Sequence, residues 1–168
     1  MRIAMAVLFF GLSSAVWGAT GQATLTATSP GSTVNGTVQF SDTPAGLKVQ
    51  AHIAGATPGL HGFHIHEFGA CGDMGKAAGG HFNPKGTPHG MVMKDGPEKA
   101  HAGDMGNIQV DAKGEASLDT VLPGVSLWSQ PTVAGRAVVL HEKTDDFSQP
   151  VGNAGARVAC GPIIITGN

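Results

Sequence analysis

Eight short runs, mostly alternating apolar with polar residues and bounded by Gly, Pro, Asn or Ser, set the strongest limit on how this chain folds. They are "ATLTAT" (23–28), "TVQF" (37–40), "LKVQAHIA" (47–54), "LHGFHIHEF" (60–68), "NIQVD" (107–111), "EASLDTV" (115–121), "RAVVLHE" (136–142) and "RVACGPIII" (157–165). A period of two sends successive side chains to opposite faces of an extended strand. Short β-branched strands with turn residues between them predict an all-β sandwich or flattened barrel. No helical period is sustained beyond the first twenty residues, and there is no internal repeat. The 26 glycines and 10 prolines suit a turn-rich chain, and 41% apolar content in 168 residues supplies one core.

The first residues are of another kind. "MRIAMAVLFFGLSSAVWGAT" carries one Arg, then an apolar run, then small residues around the Gly18–Ala19 junction. That layout predicts a secretory signal peptide over residues 1–19, cleaved after Gly18 or Ala19, with a single domain over 20–168. An uncleaved anchor is the competing reading. No later stretch is apolar enough to span a bilayer as a helix. Loss of Arg2 would take the net charge from −2 to about −3, and no basic patch of the kind nucleic acid requires is present. Two cysteines, Cys71 and Cys160, remain in the exported part, and an even count in an oxidising compartment favours a disulfide over two free thiols.

Two connections are unusually long. One runs from about Gly69 to Met105 and the other from Lys143 to Ala156. Glycine-rich chain loses much entropy on ordering, so something must hold these loops down. The disulfide would fix one end of the first loop, and metal ligation would fix the remainder.

The histidines supply the candidates. In the 60–68 run, Phe63 and Ile65 are natural core residues, so His64 and His66 project from the other face, beneath the long loops. An H-x-H pair on a strand approaches one ion from one side, although alone it reads as well as two hydrogen-bonded histidines. His81, His89, His101 and Asp104 crowd into the first loop, and three imidazoles with a carboxylate suit tetrahedral zinc. His141 ends an apolar strand and is placed to join His64 and His66, an imidazole-rich set that suits Cu(II). Spacing supports one or two metals and leaves the division of ligands open.

The stretches "GLHGFHIHEFG" (59–69), "GGHFNP" (79–84), "HAGDMGN" (101–107), "VVLHE" (138–142) and "GNAGARVACG" (152–161) carry a resemblance across nearly all of the exported region. In these motifs the chain resembles the copper/zinc superoxide dismutases, themselves a standard example of the β-sandwich architecture. The resemblance implies an eight-stranded Greek-key flattened barrel, an immunoglobulin-like sandwich with two long functional loops, holding one copper and one zinc ion per subunit. Copper would be held by His64, His66, His81 and His141, and zinc by His81, His89, His101 and Asp104, with His81 bridging. Cys71 and Cys160 match the intrasubunit disulfide. Arg157 matches the cation at the copper mouth, catalytic together with His81, and Asp145 matches a carboxylate linking His64 to His89. The implied partner is the superoxide anion, with a homodimer as the assembly to test.

The segment between His141 and Arg157 is short and lacks a run of charged residues, which resembles the bacterial secreted branch and points to the periplasm, with outright secretion as the other address. Lys76, Lys85, Lys94, Lys99 and Lys143 are candidate substrate guides, each also readable as a solvated surface lysine. His61 reads as a hydrogen-bonded structural residue and His52 as solvent-facing. Trp128 reads as a dimer contact or a partly buried loop aromatic. Met91, Met93 and Met105 read as gap-filling hydrophobes ahead of a copper-handling cluster. Two rivals to an enzyme stand at this point: an envelope copper-binding or buffering protein without significant turnover, and an adhesive sandwich stabilised by zinc.

Overall fold

The computed structural model describes residues 18–167. Residues 1–17 of the expected leader lie outside the described residues. Nine strands form among the described residues: β1 (Thr20–Ala27), β2 (Asn35–Thr43), β3 (Gly46–Ala54), β4 (Gly59–His66), β5 (Asp104–Val110), β6 (Ala116–Leu122), β7 (Ala137–His141), β8 (Arg157–Pro162) and β9 (Ile164–Gly167). The only regular helix among the described residues is α1 (Val92–Asp95), beside one 3-10 turn at Lys76–Ala78. Eight strands make an antiparallel path in the order β5-β4-β7-β8-β1-β2-β3-β6, with β9 added alongside β1. The connections β3 to β4 and β6 to β7 cross over rather than join neighbours, as in a Greek key. The path is an almost closed barrel whose seam lies between β5 and β6.

Period-two alternation builds the interior. In β3, Leu47, Val49, Ala51 and Ile53 are buried while Gln50 and His52 face solvent. They meet Leu25 and Phe40 from β1 and β2, and Phe63, Ile65, Ile108 and Leu140 from the facing strands. Burying a side chain of this size contributes roughly 1.5–3 kcal/mol. β4 and β7 depart from alternation, since His61 to His66 and all of β7 are buried on both faces. The outer face of this strand pair is roofed by the two long loops, and the candidate ligands lie under that roof.

The structure revises the expected eight strands in two places. The last run, 157–165, splits into β8 and β9. Pro162 has no N–H to donate to a ladder, and Ile163 turns aside to exchange hydrogen bonds with Gly135 and Arg136. β9 then pairs with the start of β1, whereas β8 pairs with its end. Asp104 and Met105, expected in the first loop, open β5 instead, and Asp104 lies in register with His64. Cys71 and Cys160 form the expected disulfide, Cα–Cα 5.7 Å, across 89 residues of sequence. On the loop-entropy model a closure of this length stabilises by roughly 4–5 kcal/mol.

Candidate metal centre

Backbone pairing carries the ligands to one place. β4 presents His64 and His66, and β7 beside it ends at His141. The first loop turns back along β4, where His81 bridges to His66 and Phe82 and Gly103 bond the backbone of Ile65. Two groups result: His64, His66, His81 and His141, and His81, His89, His101 and Asp104, each with ligand atoms within 4.8 Å of one another. All seven residues are buried, and His81 belongs to both groups. The His81 ring centroid lies 4.1 Å from His64 and 5.0 Å from His66 on one side, and 5.2 Å from His89 and 5.5 Å from His101 on the other.

Hydrogen-bond partners fix the ring protons of the first group. His64 donates Nε2–H to Asp145 Oδ2 at 2.9 Å, so its Nδ1 carries a lone pair. That Nδ1 is, among the described residues, the one buried side-chain nitrogen or oxygen without a hydrogen-bond partner. His66 donates Nδ1–H to Gly79 O at 3.0 Å and His141 donates Nδ1–H to Gly155 O at 3.4 Å. Their Nε2 lone pairs therefore face each other at 3.2 Å. Three unprotonated nitrogens converging in a buried space is unfavourable until a cation lies among them. Burial is the main reason these rings resist protonation. The pKa of His64 is lowered to about 4, with the Asp145 bond opposing, that of His66 to about 2 and that of His141 to about 3. Neutral imidazoles with free lone pairs are the donor set that suits copper.

The second group is organised around a carboxylate. The Nδ1 atoms of His81, His89 and His101 lie 2.8, 2.7 and 3.2 Å from Asp104 oxygens. Burial alone would raise the Asp104 pKa, but bonds from His101, His81 and His89 hold it well below the carboxylate range. For His89, burial would lower the pKa, yet Asp104 and Asp145 together raise it to about 9. Three imidazole nitrogens and one carboxylate oxygen suit tetrahedral zinc. Asp145 lies between the groups, accepting from His64 Nε2 at 2.9 Å and from His89 Nε2 at 2.9 Å. Room for it depends on Gly152, at φ +75°, where an added Cβ would collide with Asp145 Oδ1 and lie 2.7 Å from His89 Nε2.

Arg157 opens β8 and stands in register with His141. Its two terminal nitrogens bond the carbonyls of Gly75 and Gly79, each at 2.5 Å. Gly79 O is also the acceptor for His66, so the guanidinium is tied directly beside the first group, and it stays partly open to solvent.

His61 is buried and bonds the carbonyls of His141 at 2.8 Å and Thr57 at 2.7 Å, a structural role. His52 is exposed and bonds Ser117. Met105 is fully buried in the core, against which Met93 packs. Trp128 is 67% exposed, so the partly buried alternative does not hold. Lys85 is paired with Glu98, and Lys76, Lys94, Lys99 and Lys143 are exposed. Sequence reasoning missed Asn107, Phe147 and Gln149. Asn107 bonds both the N–H and the C=O of Asp145, at 2.7 and 2.9 Å. Gln149 does the same for His89, at 2.9 Å each way. Phe147 stacks on the His89 ring at 6.2 Å between centroids. No local pattern marks them, because each acts on a partner distant in sequence from within a loop or at a strand edge.

An antiparallel β-barrel that seats two ligand groups joined by one shared histidine defines a class: β proteins with a paired metal centre. Comparison with known proteins narrows it. Residues 34–163 match the family model described as copper/zinc superoxide dismutase, and the chain belongs to that family. It is 41% identical over 135 residues to an extracellular copper/zinc superoxide dismutase of Caenorhabditis elegans, covering 76% of this chain and 60% of that protein. It is 39% identical over 147 residues to a copper/zinc superoxide dismutase of Onchocerca volvulus, covering 80% of this chain and 91% of that one. A solved structure described as the clock protein EA4 superposes with a TM-score of 0.78 at 34% identity, covering 99% of this chain and 100% of the other. Copper and zinc are the cofactors that go with the family, and the two groups here could hold them.

Proposed function

We infer that the protein is a superoxide dismutase, converting two superoxide ions and two protons into one dioxygen and one hydrogen peroxide. The observation that carries this reading is His81, one buried imidazole shared by a lone-pair-rich histidine group and a carboxylate-centred group. Copper would lie among His64 Nδ1, His66 Nε2, His81 and His141 Nε2, and zinc among His81, His89, His101 and Asp104. Bound copper supplies one-electron exchange between Cu(II) and Cu(I), and zinc supplies a fixed structural charge. The chain supplies the rest. With Nδ1 turned to the Asp104 side, His81 has Nε2 facing the copper side, where it can carry a proton to the reduced substrate. Arg157 has five N–H donors and gives two terminal nitrogens to Gly75 and Gly79, so its remaining donors and its charge can hold a small anion beside His66 and His141. A copper buffer has no need of this cation, which favours turnover.

The test is product stoichiometry in the copper- and zinc-loaded protein. Sustained release of one peroxide per two superoxide ions is expected. Consumption that stops after one equivalent per copper would support buffering.

Export is also proposed. The leader over residues 1–19 supports cleavage and a mature domain over 20–168, and the word extracellular in the name of the nematode relative supports secretion. The short segment between His141 and Arg157 supports the bacterial periplasmic branch, and fractionation with mass measurement of the mature chain distinguishes the two addresses. Exposed Trp128 and Ile164 support a homodimer, tested by sedimentation.

A further inference from the structure

We propose that Gln149 and Phe147 form a latch on His89 that governs how fast the zinc group releases its metal; this rests on the reading of His81, His89, His101 and Asp104 as the zinc ligands. Among those ligands His89 and His101 lie on no strand, and His101 is tied to the start of β5 because its C=O accepts from Asp104 N–H at 3.1 Å. Asp104 begins β5, and His81 is bridged to β4, but His89 sits within the loop between them. Its backbone instead finds both partners in one side chain. Gln149 accepts from His89 N–H at 2.9 Å through Oε1 and donates to His89 C=O at 2.9 Å through Nε2. The Gln149 amide thus imitates a strand neighbour.

Two residues away on the same segment, Phe147 lies nearly parallel to the His89 ring, 22° between planes. It also walls a surface hollow of about 290 Å³ with His89, Gly90, Met91, Lys94 and Asp95. This hollow is open space beside His89, and Phe147 stands at its wall against the ring. Phe147 holds φ +59°, a left-handed conformation that is unfavourable for a residue with a side chain. Its N–H donates to Asp145 Oδ1 at 2.8 Å, which ties that conformation to the carboxylate holding the His89 ring. Asn107 on β5 in turn grips the Asp145 backbone. Residues 145, 147 and 149 therefore bear on the ring edge, the ring face and the backbone of a single ligand, anchored to the barrel through Asn107. Both are positioning residues, since neither is among the ligands themselves.

The experiment uses the mature, disulfide-bonded protein in two forms: loaded with copper and zinc, and loaded with Co(II) in place of zinc. Zinc release to a chromogenic chelator is followed in the wild type and in Gln149→Met, Gln149→Ala and Phe147→Ala. Gln149→Met keeps the volume and removes only the paired hydrogen bonds. Release at least fivefold faster in all three variants is expected, with copper retained and the visible cobalt bands shifted. A wild type that gives no tetrahedral cobalt spectrum overturns the zinc reading and the latch with it. A wild-type tetrahedral spectrum with release in both Gln149 variants within twofold of wild type and bands unshifted overturns the latch alone. Fast release in Gln149→Ala but not in Gln149→Met assigns the effect to packing and also overturns the hydrogen-bonded latch.

Discussion

Replacing Asp145 with Asn changes one atom and removes one charge, and the structure says which metal suffers. The Asp145 carboxylate accepts three N–H groups: His64 Nε2 on Oδ2, His89 Nε2 between both oxygens, and Phe147 N on Oδ1. An amide offers one oxygen and turns a donor toward at least one of these donors. A buried donor left without an acceptor costs about 1–3 kcal/mol, and losing the partner of a metal-bound histidine typically weakens metal affinity about 10–100-fold. The two rings differ in what else holds them. His64 is fixed by β4, which is paired with β5 and β7 on its two sides. His89 lies in a loop, and among the described residues its Nε2 bonds Asp145 alone. Zinc affinity in Asp145→Asn should therefore fall about 10–100-fold and copper affinity by clearly less. Competition titrations of each metal against chelators of known affinity read both numbers. Equal losses for the two metals, or a zinc affinity within twofold of wild type, would refute the bridging argument.

Other outcomes follow from the same geometry. Gly152→Ala places a methyl against Asp145 Oδ1 at a left-handed φ, so zinc binding should weaken while the disulfide still forms; an unchanged zinc titration contradicts this. Arg157→Ala should retain both metals and lose about tenfold in rate at low ionic strength, within the usual span of steering effects, for which superoxide dismutase is itself a standard example; a salt-independent, unaltered rate contradicts it. In the metal-free protein, burial holds His64, His66 and His141 neutral to about pH 4, 2 and 3, whereas the unfolded chain protonates them near 6.5. Below 6.5 the unfolded state then binds more protons, so stability falls on acidification, by roughly 4 kcal/mol per pH unit near pH 5 if all three differ fully. Urea midpoints at pH 7 and pH 5 measure it, and equal midpoints contradict it.

Much of this was legible in the residues. Alternation in "GFHIHEF" already separated Phe63 and Ile65 from His64 and His66, because a two-residue period is a local property that needs no knowledge of the fold. The assignment of His81, His89, His101 and His141 to particular groups was not local, and it came from the family resemblance. Placing Asp104 in register with His64 needed the β-bulge between Gly62 and His64, which alternation does not predict. Asn107 and Gln149 were invisible for a similar reason. A side-chain amide gripping a backbone 38 or 60 residues away leaves no periodic trace, and either residue reads as ordinary turn or surface composition. The ninth strand was hidden because "RVACGPIII" looks continuous until Pro162 is weighed as a missing donor.

The most direct measurement is the second-order rate constant for superoxide decay, by pulse radiolysis, with the mature disulfide-bonded protein carrying one copper and one zinc. A value near the diffusional ceiling of about 10⁸–10⁹ M⁻¹s⁻¹, a range for which superoxide dismutase is itself a standard example, is the expected result. A negligible rate with both metals verified in their sites would contradict the account and leave a copper-holding β-barrel in its place.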